Sequence, residues 1–228
     1  MGGGFSKRIL ISITGKTDKH WQDQLKEIEK YKIRKIALFL EQFKTTQRKK
    51  IYKKLLKSNI KNIPLVHIRH DMTKDELIFL EKNFKAKCFT IHETSFRYLP
   101  KWEGFHKKLY LEMNFDNRIP KNVKFGKIGG FCVDLAHFKA AEERWSKEFL
   151  FVMKRRKISK YFKCNHLNGY SFKKNTDIHK IKSLKDFDYL KTLPEFLFGK
   201  YIGLETENSI KEQLKFKEYL IKMLNSSF

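Results

Sequence analysis

Short apolar runs alternate with charged segments along most of the chain. The runs are rich in Ile, Val, Leu and Phe, as expected of strands that are buried on both faces. Because strands that alternate with helical segments form parallel sheets, the pattern indicates an α/β fold. The eight predicted strands are 8–14, 35–41, 63–69, 86–92, 108–114, 130–137, 161–168 and 201–207.

The segments between these runs carry the spacing and the capping residues of helices. Apolar residues recur every three or four positions in WQDQLKEIEKYKI (21–33) and RKKIYKKLLKSNI (48–60), as on one face of an amphipathic helix. Thr73 and Glu76 match a capping box at the start of the next helix. Further helices are expected over about 139–157, over about 183–199, and from a cap at Asn208 or Ser209 through Met223.

Eight strand–helix units most simply close into a (β/α)8 TIM barrel, and at 228 residues it would be a compact one. After strands four and five, 93–107 and 115–129 are rich in Gly, Pro and Asn, so loops or short helices should replace long ones there. A doubly wound open sheet is the alternative, but ITGKT after the first strand is too short for a phosphate-binding loop. We predict a single domain over 1–228, with 1–6 as a flexible leader.

Composition narrows the class of protein without deciding its function. A formal charge of +25 favours a polyanionic partner such as nucleic acid. However, most of the basic residues are lysines, whereas proteins that read bases rely on the planar fork of arginine. A lysine excess spread over every helix is equally typical of compositional drift in an AT-rich genome.

Two further features of the composition indicate where in the cell the protein would be found. The three cysteines form no C-x-x-C pair, and an odd count argues against a disulfide framework. We therefore expect reduced core thiols in a cytoplasmic protein. No apolar run approaches the roughly 18 residues of a membrane span, so no membrane partner is expected.

Histidines or carboxylates stand at or near the ends of six consecutive predicted strands. In a TIM barrel the carboxyl ends of the strands converge on one face, where active sites form. Isolated acids inside apolar runs are costly to bury unless they are paired or bound to metal, so metal coordination would explain them, with salt bridges to lysines as the alternative. These strand-end residues are His70, Asp71, His92, Glu112, Asp134, His137, His166 and Glu205.

Imidazole and carboxylate ligands without thiolate suit zinc, manganese or iron. A carboxylate on a central strand can bridge two ions about 3.5–4 Å apart, which together generate hydroxide and stabilise the attacking and leaving oxygens. A single ion held by Glu112, Asp134, His166 and Glu205 could instead bind two sugar oxygens and support proton transfer between them.

Those four residues match the metal-ligand pattern of the xylose isomerase-like TIM-barrel superfamily, which the chain resembles from its first strand to its last helix. The superfamily includes sugar-phosphate isomerases, epimerases and the endonuclease IV family of DNA-repair enzymes (AP endonuclease family 2). FCVDLAHFKAA, which contains Asp134 and His137, resembles the Asp-x-x-His motif of endonuclease IV. HLN at 166–168, followed by Asp177-x-His179, is similar to the seventh-strand motif of that family.

The resemblance to endonuclease IV implies up to three Zn²⁺ ions, or Mn²⁺ in their place. It also implies catalytic roles for Glu112, Glu205 and His137, with Glu205 orienting or bridging a metal-bound hydroxide. The implied ligand sets are His70, His92 and Glu112 for the first ion, Glu112, Asp134, His166 and Glu205 for the second, and His137, Asp177 and His179 for the third.

Three functions follow from this resemblance. The first is an endonuclease IV-like hydrolase in which metal-activated water cleaves a phosphodiester of abasic DNA, while surface lysines contact phosphates. The alternative is a sugar or sugar-phosphate isomerase or epimerase, with one ion and a Glu112–Glu205 acid–base pair, and short loops favour this smaller substrate. A barrel without catalysis, serving as a scaffold or nucleic-acid-binding protein, is the third. The sequence does not indicate an oligomeric state.

Overall fold

The computed structural model describes residues 4–114 and 117–227. Eight parallel strands form a closed barrel with helices between them, which confirms the predicted compact (β/α)8 fold. Around the ring the strand order is β1, β2, β3, β4, β5, β6, β7 and β10, while β8 and β9 form a separate antiparallel hairpin. The strands are β1 (Ile9–Ile13), β2 (Lys35–Phe39), β3 (Asn62–His67), β4 (Cys88–His92), β5 (Leu109–Glu112), β6 (Gly130–Asp134), β7 (Phe162–Leu167), β8 (Gly169–Ser171), β9 (Thr176–Ile178) and β10 (Tyr201–Leu204).

Helices cover the outside of the barrel in the described residues. The α-helices are α1 (Phe5–Arg8), α2 (Asp18–Lys30), α3 (Thr45–Leu56), α4 (Lys74–Phe84), α5 (Leu135–Glu143), α6 (Lys147–Met153) and α7 (Ile210–Ser227). The predicted capping box at Thr73 and Glu76 starts α4. As expected, no long α-helix follows β4 or β5 in the part of the chain that the structure describes, and 3-10 segments over Glu93–Trp102 and Phe125–Lys127 lie in those connections.

Two predicted helices are interrupted. The helix expected over 139–157 is two helices, α5 and α6, because Trp145 adopts a left-handed conformation (φ 48°) and Ser146 then caps α6. The region near 183–199 forms 3-10 segments over Leu184–Thr192 and Glu195–Leu197, with Pro194 at the N-cap of the second.

The start of the described chain is packed against the barrel. Phe5, which falls within the predicted leader, is buried in α1, and its ring lies 5.7 Å from the ring of Phe198. The Arg8 guanidinium donates hydrogen bonds to the carbonyls of Phe198 and Gly199. Residues 1–3 of the predicted leader lie outside the described residues. The described residues include no helix that is both long and apolar enough to cross a membrane.

The inside of the barrel is filled by one layer of side chains from most of its strands. This inner layer consists of Leu10, Ala37, Phe39, Leu65, Cys88, Tyr110, Cys132 and Cys164. All three cysteines therefore point into the barrel, and Cys132 and Cys164 are direct neighbours across β6 and β7. A much larger apolar cluster lies between the strands and the outer helices.

Candidate metal centre

The candidate ligands lie one step above the inner layer, towards the carboxyl ends of the strands. Side chains two positions apart on a strand share a face, so each residue two places after an inner-layer residue also points into the barrel. In β3, β5, β6 and β7 the residue two places after the inner-layer residue is a potential ligand. In β4 that residue is Thr90, and the potential ligand His92 lies two places further on. These inward residues are His67, His92, Glu112, Asp134 and His166.

Their atoms form three overlapping groups that could hold divalent ions. One group is His67, His92 and Glu112, another is Glu112, Asp134 and Glu205, and the third is His67, His166 and Glu205. Within each group the ligand atoms lie within 4.8 Å of one another. Glu112 and Glu205 thus each belong to two groups, which places two carboxylates between neighbouring candidate positions.

Glu112 occupies the centre of the arrangement. Its Oε1 lies 2.9 Å from Nδ1 of His166, while its Oε2 lies 3.5 Å from Nε2 of His67 and 3.7 Å from Nδ1 of His92. The two oxygens therefore face different imidazoles, as a bridging carboxylate requires.

Several buried polar atoms of these residues have no hydrogen-bond partner among the described residues. They include both ring nitrogens of His67, Nδ1 of His92, and the Oε2 atoms of Glu112 and Glu205. An orphaned buried polar atom costs about 1–3 kcal/mol, and a cation bound among these atoms would satisfy several of them at once. The donor set, imidazole and carboxylate in an enclosed site, fits zinc or manganese.

Electrostatics keep two of the imidazoles neutral, which is the form that binds metal. Burial, reinforced by neighbouring histidines, holds the pKa of His67 well below its usual value. Burial likewise lowers the pKa of His92 to about 4, with a further contribution from His166.

The pKa values of the two central carboxylates, Glu112 and Glu205, are raised rather than lowered. Burial raises the pKa of Glu112 to about 7, although His166 partly offsets it. Burial also raises the pKa of Glu205 well above its usual value, and the nearby Glu112 adds to the shift. A divalent cation would relieve this repulsion, because it favours the charged form of both carboxylates.

His166 is enclosed at the floor of the site. Its Nδ1 faces the carboxylates of Glu112 at 2.9 Å and Glu205 at 3.4 Å, and its Nε2 lies 3.3 Å from Oγ1 of Thr90. Burial favours neutral His166, but the charges of Cys132, Glu112 and Glu205 outweigh it and hold its pKa well above the usual value. Without metal, His166 therefore acts as the counter-charge of the carboxylates.

His67, rather than His70, lies beside His92 and Glu112. The chain leaves the barrel after His67, so His70 falls in the following turn, where its exposed ring stacks on Tyr98 at 5.3 Å. The predicted strand over 63–69 ends two residues later than β3, because Ile68 is also apolar and buried, but Ile68 packs in the outer cluster. The two-residue spacing from Leu65 to His67 indicates that both side chains point into the barrel, and it could have identified His67 from the sequence.

Asp134 is positioned by the start of α5. Its Oδ1 accepts the backbone N–H of His137 at 2.8 Å, and its Oδ2 accepts from Nδ2 of Asn168 at 2.9 Å. The Asp-x-x-His spacing is therefore also that of an N-cap, which fixes the carboxylate beside Glu112 and Glu205.

The three ligands expected for a further ion lie at the edge of the site. Nε2 of His179 lies 2.9 Å from Oδ2 of Asp177, while Nε2 of His137 lies 3.3 Å from Oε2 of Glu148. Among the described residues these three do not form a ligand group with one another. The hydrogen bond that His179 donates to Asp177 raises the pKa of His179 to about 10, and the same bond lowers the pKa of Asp177 to about 2.

Glu41 is a site residue that the sequence analysis missed. It follows β2, its Oε2 lies 3.5 Å from Nδ1 of His67, and burial raises its pKa. With Glu205, His179 and Lys16 it lines a cavity of about 150 Å³ at the barrel mouth. The signal was present, because Glu41 ends an apolar run in the same way as the other strand-end acids.

Comparison with known proteins gives no assignment. The chain matches no protein-family model, and no curated protein matches it significantly.

Proposed function

We propose that this protein is a divalent-metal-dependent phosphodiesterase that acts on nucleic acid, as a divergent member of the xylose isomerase-like TIM-barrel superfamily. The position of the Glu112 carboxylate is the main support for this proposal. Its two oxygens face different imidazoles, and Glu112 belongs to two candidate ligand groups. A carboxylate so placed suits a pair of ions, and a pair of ions suits phosphoryl transfer.

The residues divide into two sets around Glu112. His67, His92 and Glu112 would hold one ion, and Glu112, Asp134, His166 and Glu205 the second. Bound there, divalent ions would lower the pKa of a water molecule and neutralise charge on the phosphate. A third ion at His137, Asp177 and His179 stays a prediction.

Glu205 and His179 are placed to handle the substrate at the mouth. Glu205 lines the cavity, and its orphaned Oε2 would orient the attacking water. His179 lies beside it, with Nδ1 3.2 Å from the carbonyl oxygen of Glu205, and Asp177 holds its imidazole in the charged form. A fixed cation at this position would bind a phosphate oxygen.

The test combines metal counting with cleavage. Purified protein is analysed for bound metal and then incubated with a duplex that contains one abasic site, with and without chelator. We expect at least two ions per chain and nicking that chelator abolishes and added Zn²⁺ or Mn²⁺ restores. Protein that binds no ion, or nicking that persists in chelator, would overturn the proposal.

Sugar or sugar-phosphate isomerisation is the second candidate, and the small mouth cavity of about 150 Å³ favours it. In that case Glu112 and Glu205 would exchange the proton between adjacent sugar carbons. A panel of sugars and sugar phosphates, assayed with the same preparations, separates the two. Turnover of a sugar phosphate with one bound ion and no nicking would establish the second candidate in place of the first.

A further inference from the structure

The β8–β9 hairpin carries an open groove that leads to the candidate metal centre. The groove has a volume of about 550 Å³ and runs along β9 past Ile178. His179 and Glu207 line both this groove and the mouth cavity that contains Glu205. The groove and the mouth cavity are therefore adjacent, so a chain that lies along the hairpin comes close to the centre.

The groove has a net positive lining. Lys174, Lys180 and Lys182 contribute three exposed ammonium groups, and within the described residues none of them forms an ion pair with a carboxylate. The carboxylates of the groove are already engaged: Asp177 pairs with His179, and Glu207 pairs with Lys16.

Asp186, the remaining acid in the groove, is also occupied. Its Oδ2 accepts the backbone N–H groups of Lys182 and Ser183 at 3.2 and 3.1 Å. With Asp177 and Glu207 paired, the three lysines outweigh the single charge of Asp186, and this positive excess attracts an anion.

The shape of the groove fits a chain of phosphates better than a single one. The three residues of β9 extend over roughly 10 Å, and lysines lie before and after them. One strand of a nucleic acid advances roughly 3.4 Å per phosphate along a duplex axis, so more than one phosphate of a backbone lies within the length of β9. A free sugar phosphate would leave most of this groove empty.

The tip of the same hairpin presents an aromatic ring. Phe172 is 60% exposed, and its ring meets the buried ring of Tyr170 edge-on at 4.9 Å. The hydroxyl of Tyr170 donates to Oδ1 of Asn175, which occupies the left-handed turn position at φ 47°. An exposed aromatic ring beside lysines can stack on a base, which favours nucleic acid over an acidic protein.

We infer that the groove of Lys174, Lys180 and Lys182 binds the phosphate backbone of a nucleic-acid strand and leads it to the metal centre. Delivery of the strand to a metal centre rests on the proposed function, but binding of the strand in the groove needs neither metal nor cleavage.

The test measures binding separately from chemistry. The anisotropy of a fluorescein-labelled oligonucleotide is followed in excess chelator over a range of salt concentrations, for wild type and for the Lys174→Ala/Lys180→Ala/Lys182→Ala variant. The matched control is Lys157→Ala/Lys160→Ala/Lys163→Ala, which removes three exposed charges from the opposite, amino-terminal end of β7. Thermal unfolding verifies that all three proteins fold.

We expect the groove variant to lose about three units of the slope of log K against log salt, roughly one per lysine, and the control variant to keep the wild-type slope. Equal losses in the two variants, or none in the groove variant, would overturn the inference. Displacement of the oligonucleotide by polyglutamate as effectively as by unlabelled DNA would overturn it too, in favour of an acidic protein partner.

A second readout separates this inference from the proposed function. The ratio of oligonucleotide cleavage to hydrolysis of the small diester bis(p-nitrophenyl) phosphate should fall by about tenfold or more in the groove variant relative to the control. If wild type cleaves neither substrate yet the groove variant alone loses binding, the proposed function fails while the groove assignment holds.

Discussion

Glu112 Oε1 and His166 Nδ1 lie 2.9 Å apart at the floor of the barrel mouth. The second oxygen of Glu112 is buried and has no hydrogen-bond partner among the described residues, although two further imidazoles lie within 3.7 Å. One oxygen of this carboxylate is thus satisfied by protein, and the other lies between imidazoles with which it could share a cation.

Replacing Glu112 with Gln should remove metal from both groups, because the amide offers one neutral oxygen in place of a shared carboxylate. Elemental analysis of the dialysed protein should show at least one ion fewer per chain. Glu93→Gln is the matched control, since Glu93 is also buried at the mouth but binds the backbone N–H of Asn114 at 2.7 Å. Equal metal content in Glu112→Gln and wild type would contradict the assignment.

His67→Ala and His70→Ala should behave differently. His67 is enclosed between Glu41 and Glu112, whereas His70 is exposed on Tyr98. We expect His67→Ala to bind about one ion fewer per chain and His70→Ala to match wild type, because only the first removes an inward ligand. Isothermal titration with Zn²⁺ measures the number of ions that each variant binds. Loss of an ion in His70→Ala but not in His67→Ala would make His70 the ligand, as expected from the sequence.

Glu41→Gln should weaken metal binding without removing a ligand. A carboxylate beside a ligating histidine orients the ring and raises its basicity, and its loss typically lowers metal affinity about 10–100-fold. Lys16→Ala is the control, because Lys16 lines the same cavity but pairs with Glu207. Competition with a chromogenic chelator gives both affinities, and equal affinities would show that Glu41 does not position His67.

The Asp177–His179 pair should make the stability of the metal-free protein depend on pH. The raised pKa of His179 stabilises the fold fully below its ordinary value of 6.5, and this contribution is lost as the pH rises to about 10. The depressed pKa of Asp177 stabilises the fold above 3.8, and this contribution is lost as the pH falls to about 2.

The melting temperatures of wild type and Asp177→Asn in chelator should therefore differ most between pH 3.8 and 6.5 and converge towards pH 10. A constant difference across the whole range would show that the pair does not control this titration.

Arg48 should be a major stabilising residue outside the site. Its fully buried guanidinium lies 2.9 Å from Asp71 and 2.8 Å from Glu76, so it joins α3 to the start of α4. Arg48→Ala would leave Glu76 without its counter-charge and Asp71 with Arg69 alone, and it should lower the free energy of unfolding by about 3 kcal/mol. Urea unfolding measures this against the exposed control Arg156→Ala, for which a change within about 0.5 kcal/mol is expected.

The barrel, and the inward position of most of the candidate ligands, could be predicted because both follow from short-range patterns. Apolar runs define the strands, and Glu112, Asp134 and His166 stand out as polar residues inside them. Strand ends are harder to locate, because an apolar residue that faces the outer helices, such as Ile68, looks the same in sequence as one that faces inward.

The β8–β9 hairpin was not predicted for a different reason. Its strands have three residues each, which is too short for an alternating pattern to emerge. Its turn depends on Asn175, whose left-handed conformation is not evident from neighbouring residues. The placement of Asp177 and His179 depends on this hairpin, so their relation to His137 could not be judged from spacing.

Barrel closure ties the candidate centre to the integrity of the whole chain. The ring is completed only when Ile9 and Leu10 of β1 pair with Ile202 and Gly203 of β10, near the two ends of the sequence. The candidate ligands of the centre come from β3 to β7 and from the segment after β10, so no contiguous half of the chain contains them all. Metal affinity should consequently depend on closure of the barrel. An ion bound here would hold segments that are distant in sequence together as a non-covalent cross-link.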